Sequence, residues 1–269
     1  MKHVDISKEE SLRSEYYKMV SERVDCFLQH LEKIKMLEAG CGSATHITFK
    51  RPIESVGIDI SEEQLTRNTA ITERIHGDIQ TYPLPREAFD AVICWDVLEH
   101  LPKPMMALRN LFGTVRNGGI LVLAFPNLIS FKGLVTKWTP YLFHKLFYRV
   151  VGYHKTPFRT YLCYSIRPHH VKKFAASNGF SVEFSLLSEG FQQKRVRNRY
   201  VLFDTLLYLL DRLLQGLTFG KADGFLLDSC VMILKKSAPQ SSSDSSLSET
   251  RQSRIGSDLA VSIRQTTPG

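Results

Sequence analysis

An apolar run, an acid and two closely spaced glycines occupy Ile34 to Gly42, "IKMLEAGCG". Such a run reads as a strand feeding a tight turn, in which Gly40 and Gly42 let a ligand approach the backbone. The third glycine position of G-x-G-x-x-G holds Thr45. A second acid, Asp59, closes the next strand-like run about 20 residues on, where a carboxylate accepts bonds from ribose hydroxyls. A third, Asp78 in "HGDI", is placed to accept from an adenine amino group, with Ile79 against the ring. A dinucleotide would need its pyrophosphate at a helix N-terminus, and an acid beside it repels. Here Glu38 sits immediately before the turn. Three acids at three successive strand ends suit a cationic nucleoside better than a phosphorylated one.

Two other groups of residues carry possible chemistry. His100, in "VLEHL", has the natural pKa of a general base for a substrate hydroxyl. It equally suits packing or capping in the turn that Pro102 ends. His169 and His170 open a helix, facing either a pocket or solvent. The 5 cysteines are scattered without a C-x-x-C pair, which argues against a disulfide framework or a zinc site and for a reducing compartment. No metal site is expected.

The elements that must position these residues follow a regular alternation. "KIKMLE", "ESVGIDI", "TERIHGDI", "FDAVICWDVL", "GGILVLAFP", "FSVEFSLL" and "DSCVMILKK" read as strands. Between them, "SEEQLTRNTA", "MMALRNLFGTV" and "PHHVKKFAASNGF" read as helices. Ser61 is the expected N-cap of the first, and Asn178-Gly179 the expected stop of the last. This alternation implies an α/β fold with a mostly parallel sheet covered on both faces. Residues 1–33 form an N-terminal helical segment, with the helix over 9–33, and 34–236 form the main domain. Segments 127–167 and 191–226 interrupt the rhythm, and 237–269, Ser-rich without an aromatic residue, is expected to be disordered. The N-terminus lacks a signal-peptide pattern, and no apolar run of about 18 residues is present to span a membrane.

Together, "LEAGCGSAT", "VGIDIS", "HGDIQTYPLPREAFDAVICWDVLEHLPKP", "LFGTVRNGGILVLAFPN" and "HHVKKFAASNGF" resemble the class I S-adenosylmethionine-dependent methyltransferases. The resemblance runs over residues 34–187 and is to the broad type 11/23-like group that includes the ubiquinone-biosynthesis O-methyltransferases. It implies a Rossmann-like seven-stranded sheet with a helical lid insertion, and S-adenosyl-L-methionine as cofactor. The family's positions for the methionine part fall on Glu38, Gly40 and Gly42. Those for the ribose fall on Asp59, with Ile60 beside it, and those for the adenine on Asp78 and Ile79. Trp95 and Asp96, at the fourth strand's end, line the cleft. The sequence departs from the pattern at Ala44, where a third glycine is frequent, and in a short first helix, "THITFK", before Arg51-Pro52.

The substrate end is the most unusual stretch. Residues 101–182 contain no Asp or Glu, while the formal net charge of the chain is +8. Inside 127–167, lysines and arginines interleave with Phe131, Trp138, Tyr141, Phe143, Phe147, Tyr148, Tyr153, Phe158, Tyr161 and Tyr164. A basic, aromatic lid fits an anionic membrane surface, a phosphorylated or lipid-linked small molecule, or nucleic acid. Nucleic acid fits least, because no N-P-P-Y-like motif follows "AVICWD". The segment "NRYVLFDTLLYLLDRLLQGL" over 198–217 has a broad apolar face broken by charges. It suits an interfacial helix or packing against the core or a second subunit. The sequence thus predicts a cytoplasmic, membrane-peripheral methyltransferase acting on oxygen of a hydrophobic or lipid-linked small molecule. An RNA methyltransferase and a non-catalytic regulatory protein that keeps the fold are the alternatives.

Overall fold

The computed structural model describes residues 6–138, 160–161, 163–219 and 224–238. The chain divides into Met1–Ser237 and Ala238–Gly269. The expected tail, and most of the aromatic insertion, lie outside the described residues.

Seven strands form one sheet: β1 (Ile34–Ala39), β2 (Ile53–Asp59), β3 (Glu73–His76), β4 (Phe89–Trp95), β5 (Val115–Pro126), β6 (Phe180–Ser188) and β7 (Ser229–Lys236). Their order is β3-β2-β1-β4-β5-β7-β6. The first five run parallel, and β7 is antiparallel to both β5 and β6. The central strands are apolar because helices bury both faces. Chain direction across the sheet reverses between β1 and β4, which opens a crevice at their carboxyl ends.

The two faces are built differently. On one, α3 (Pro104–Thr114) and α5 (Pro168–Ser177) bring Leu108, Leu111, Phe112, Val171 and Ala175 onto Leu37, Val92, Leu121 and Leu123. On the other, α1 (Ile6–Phe27), the turn residue Leu28 after it and the short α2 (Glu62–Arg67) bring Val20, Val24, Leu28 and Leu65 onto Met36, Ile93 and Val122. The N-terminal helix is therefore part of the core. It starts earlier than the expected 9–33 and stops at Phe27, before a turn at 28–30.

The short first helix expected over "THITFK" does not form. Its backbone donors go to α1 instead: Ser21 Oγ accepts from Thr48 N at 3.1 Å and Asp25 Oδ1 from Lys50 N at 3.4 Å. Arg51 Nη1 completes the tie to Asp25 Oδ1 at 2.9 Å. With β-branched Thr45, Ile47 and Thr48 disfavouring a helix, an extended segment held by α1 takes its place. The caps behave as expected. Ser61 Oγ accepts from Gln64 N at 3.3 Å, and Gly179, at φ +76°, follows the Asn178 cap.

After β5 come α4 (Phe131–Trp138), α6 (Phe191–Arg199) and α7 (Val201–Leu217). Asn127 and Asp228 tie these segments to the sheet. Asn127 Nδ2 donates to Leu227 O at 2.9 Å. Asp228, 4% exposed, accepts from Gly190 N at 2.5 Å and Lys132 Nζ at 2.7 Å.

Candidate active site

The turn after β1 is held open by its glycines. Gly40 has φ +71° and Gly42 φ +49°, left-handed values that glycine adopts without a Cβ penalty. A Cβ on Gly40 would stand 2.4 Å from Val97 Cγ2. The turn hangs on β2: Gly40 N donates to Ile58 O at 2.7 Å, and Gly42 N to Asp59 Oδ2 at 2.8 Å. Asn68 Nδ2, fully buried, donates to Cys41 O at 3.2 Å. The Cys41 thiol is pushed up to about 12, by burial first and by Asp59 and Glu38 next, so it is inert rather than nucleophilic.

Glu38 lies on β1 between Gly57 of β2 and Ile93 of β4. The two-residue period of a strand puts it on the face of Ile34 and Met36. It is 2% exposed, and its Oε2 has no hydrogen-bond partner. Its Oε1 lies 3.8 Å from His46 Nδ1. A carboxylate so buried and so little satisfied is costly by itself and calls for a cationic partner. His46 stacks on Trp95, ring centres 5.7 Å apart and 7° from parallel, and Tyr17 of α1 lies 5.4 Å from Trp95. Tyr16 adds an edge contact to Trp95 at 6.3 Å and another to Phe191 at 6.1 Å. Burial pushes the Tyr16 phenol up to about 12. An aromatic wall, supplied by α1 and the turn, thus closes one side of the crevice.

The end of β4 adds two more acids. Asp96 has φ +52°, a conformation Asp tolerates better than most residues. Burial raises its carboxyl above the ordinary range, against the pull of His46, Lys132, His100 and Arg13. Three residues on, Glu99 is 7% exposed with Oε2 unpartnered. Burial pushes it up to about 8, and Asp96 adds to the rise. Burial also raises the Cys94 thiol, with further contributions from Glu99, Asp96 and Glu38, so the three carboxylates share one neighbourhood.

The predicted site residues fall as follows. Glu38, Gly40, Gly42, Asp59 and Trp95 gather at the mouth between β1, β2 and β4. Asp59 also accepts from Ser61 N at 2.8 Å, and its oxygens keep further acceptor capacity. Ile60 is 72% exposed just beyond. Asp78 accepts from Gln80 N at 2.8 Å and from Gln80 Nε2. Ile79 is buried in the core under it, its carbonyl taken by Asn110 Nδ2 at 3.0 Å. His100 sits on a 3₁₀ turn over Leu98–His100, a third exposed, with Nε2 at 3.9 Å from Glu99 Oε1. His169 and His170 are exposed at the start of α5, and His170 Nε2 meets Arg167 Nη2 at 3.0 Å, the solvated arrangement. Tyr17, His46 and Glu99 escape the sequence reading. The available signals were weak: His46 follows the glycine turn by four residues, and Glu99 follows Asp96 by three. Among the described residues, no group of three His, Cys, Asp or Glu is placed to hold a metal ion.

The seven-stranded, mostly parallel sheet with its switch-point crevice and glycine turn is a Rossmann-like fold. Solved structures agree on the fold. A Galdieria sulphuraria protein assigned as a sarcosine dimethylglycine methyltransferase aligns with TM-score 0.53 and 11% identity, covering 83% of this chain and 85% of that one. The [4+2]-cyclase SpnF aligns with TM-score 0.52 and 14% identity, over 84% and 82%. A fold shared with a cyclase does not by itself fix the reaction. Sequence is more specific: residues 37–123 match the family described as a methyltransferase domain. A Mycolicibacterium smegmatis protein named as a probable S-adenosylmethionine-dependent methyltransferase is 30% identical over 102 residues, 36% of this chain and 40% of that protein. The ubiquinone biosynthesis O-methyltransferase of Psychrobacter arcticus is 29% identical over 105 residues, 35% and 41%. The chain thus spans well under two thirds of the curated relatives it matches. Residues 37–123 carry the likeness to a methyltransferase domain, within a fold shared with solved methyltransferases.

Proposed function

We propose that this protein transfers a methyl group from S-adenosylmethionine to an oxygen of a hydrophobic or lipid-linked small molecule, as a peripheral protein at an anionic membrane. The observation that carries the cofactor reading is Glu38: a buried carboxylate with one oxygen unpartnered, beside two left-handed glycines at the switch point. An ammonium group satisfies it, whereas a phosphate would be repelled. In this reading Glu38 and the Gly40–Gly42 turn hold the methionine end and Asp59 holds the ribose hydroxyls. Asp78 holds the adenine amino group above Ile79. Trp95 and His46 wall the crevice against water.

Bound S-adenosylmethionine supplies an electrophilic methyl on a sulfonium with a neutral leaving group. The protein then has to align the acceptor and exclude water. His100 takes the proton of an acceptor hydroxyl, with Glu99 beside it. Support for a hydrophobic acceptor comes from the acid-free segment 101–182 and its aromatic insertion 127–167, of whose aromatic side chains Phe131, Tyr161 and Tyr164 are described. Among the described residues no helix is long and apolar enough to cross a membrane.

Calorimetric titration with S-adenosylmethionine tests the site. Glu38→Ala and Asp59→Ala are expected to weaken binding strongly, and Asp78→Ala less; near-normal binding by the first two would sink the assignment. A labelled-methyl screen on lipid extracts tests the acceptor. Binding to RNA with a steep salt slope, and none to anionic vesicles, would favour the RNA alternative.

A further inference from the structure

α7 keeps only part of its apolar arc against the protein. Leu207 and Asp211 are buried, Phe203 meets Phe131 at 6.0 Å between ring centres, and Arg197 of α6 holds Asp204 at 2.6 Å. At about 100° per residue, Leu202, Leu206, Leu209, Leu213 and Leu217 line up in a separate stripe. They are 88%, 64%, 59%, 58% and 68% exposed. Exposed aromatics stand at the two ends, Tyr200 and Phe219. A contiguous apolar patch of this kind marks an interaction surface.

The charges beside the stripe decide what it meets. Both acids of α7 are turned away from it: Asp204 is held by Arg197, and Asp211 is buried with Gln215 Nε2 at 2.8 Å. Among the described side chains of α6 and α7, the exposed cations are Lys194, Arg199 and Arg212, while Asp204, its side chain 42% exposed, is neutralised by Arg197. The stripe runs along one convex helix, so it has no concavity for a peptide. A second copy would bring the same cations against their own kind. An anionic bilayer answers every feature: leucines enter the acyl boundary, aromatics sit at headgroup level and cations meet phosphates.

We infer that α7 is the membrane-docking element, lying in the interface plane on its leucine stripe with Lys194, Arg199 and Arg212 on anionic headgroups. The inference deepens the peripheral-membrane part of the proposed function and is independent of whether methyl transfer occurs.

The test is co-sedimentation of the full chain with vesicles of phosphatidylglycerol and phosphatidylcholine in equal parts, against phosphatidylcholine alone. The wild type binds the mixed vesicles, and less so as salt rises. The variant Leu206→Glu/Leu209→Glu/Leu213→Glu loses binding by well over tenfold, on the order set by apolar insertion. Lys194→Gln/Arg199→Gln/Arg212→Gln loses the preference for mixed vesicles by about fivefold per cation. Thermal melting of each variant reports folding. If the leucine variant melts early, an environment-sensitive dye on Leu209→Cys substitutes, with a blue shift on mixed vesicles as the expected result. No binding by the wild type, or undiminished binding by the folded leucine variant, overturns the inference. So does a wild-type dimer in sedimentation velocity that the leucine changes convert to monomer without touching vesicle binding. S-adenosylmethionine titration on the same samples separates the two readings, since cofactor binding can fail while docking stands.

Discussion

The crevice at β1 and β4 and the outer face of α7 are both unfinished surfaces, and they are unfinished in opposite ways. In the crevice the unsatisfied groups are polar and buried, notably Glu38 Oε2 and Glu99 Oε2. On α7 they are apolar and exposed. The crevice depends on single residues in single conformations, as small-molecule sites do. The helix face depends on a sum of interchangeable leucines, each adding about the same apolar area. One region should therefore fail at a point, and the other by degrees.

The sharpest way to break that contrast is Gly40. Its φ of +71° is strained for any other residue, and a Cβ would lie 2.4 Å from Val97 Cγ2. Gly40→Val is expected to abolish cofactor binding in calorimetry and to lower the melting temperature. At Gly113, in α3, an added Cβ would meet nothing within 4 Å, so Gly113→Ala serves as the control. It should leave binding intact and stabilise by about 0.5–1 kcal/mol.

Next in size is Glu38→Gln, where binding and stability should move in opposite directions. Removing a buried carboxylate that lacks a full set of partners relieves desolvation, so the cofactor-free protein should melt higher by about 1 kcal/mol. The ammonium loses its counter-charge, so affinity for S-adenosylmethionine should fall about a hundredfold. A variant that binds normally would show the unpartnered oxygen to be a flaw of the core rather than a seat for a cation.

Glu99 gives a test through pH. Its unfolded value is 4.5 and burial lifts the folded value to about 8. Between these values the folded state keeps a proton that the unfolded state has lost. Stability from this group is therefore greatest at low pH and falls as pH rises through the window, by at most about 1.4 kcal/mol per pH unit. Asp96, also raised, adds in the same direction. Glu99→Gln should flatten the fall in melting temperature between about pH 5 and 8 and leave the variant the more stable at the upper end. Parallel curves for variant and wild type would mean that Glu99 is charged in the folded protein.

The two regions also differ in how legible they were in the sequence. Glu38, Gly40, Gly42 and Asp59 sit in local patterns tied to strand ends, and all seven strands follow from runs such as "ILVLAFP" and "SCVMIL". What local pattern could not carry was tertiary. Ser21 and Asp25 take the backbone donors of Thr48 and Lys50, which removes a helix that "THITFK" suggested. Tyr17 and His46 reach Trp95 only because α1 folds back onto the sheet. For α7, periodicity revealed an apolar arc from Val201 to Leu217, but it could not say that Leu207 turns inward while Leu206 turns out. That division depends on where the helix docks.

The smallest effect is the one that most directly tests failure by degrees. Leu206→Ala shortens one of the five leucines of the outer stripe without touching the inner contacts of α7. Its loss of apolar area should weaken partition onto anionic vesicles by a few-fold, up to about tenfold. The melting temperature and the affinity for S-adenosylmethionine should not change. Leu207→Ala, one position along, removes a side chain that is 2% exposed and should cost about 2–5 kcal/mol of stability. If the two neighbours behave alike, with Leu206 needed for folding or Leu207 dispensable, the division of α7 into an inner and an outer face is wrong. The leucine stripe then belongs to the core, and the contrast with the crevice collapses. If they differ as expected, adding Leu209→Ala and Leu213→Ala should lower vesicle binding by similar factors in turn, a graded response that no residue around Gly40 should reproduce.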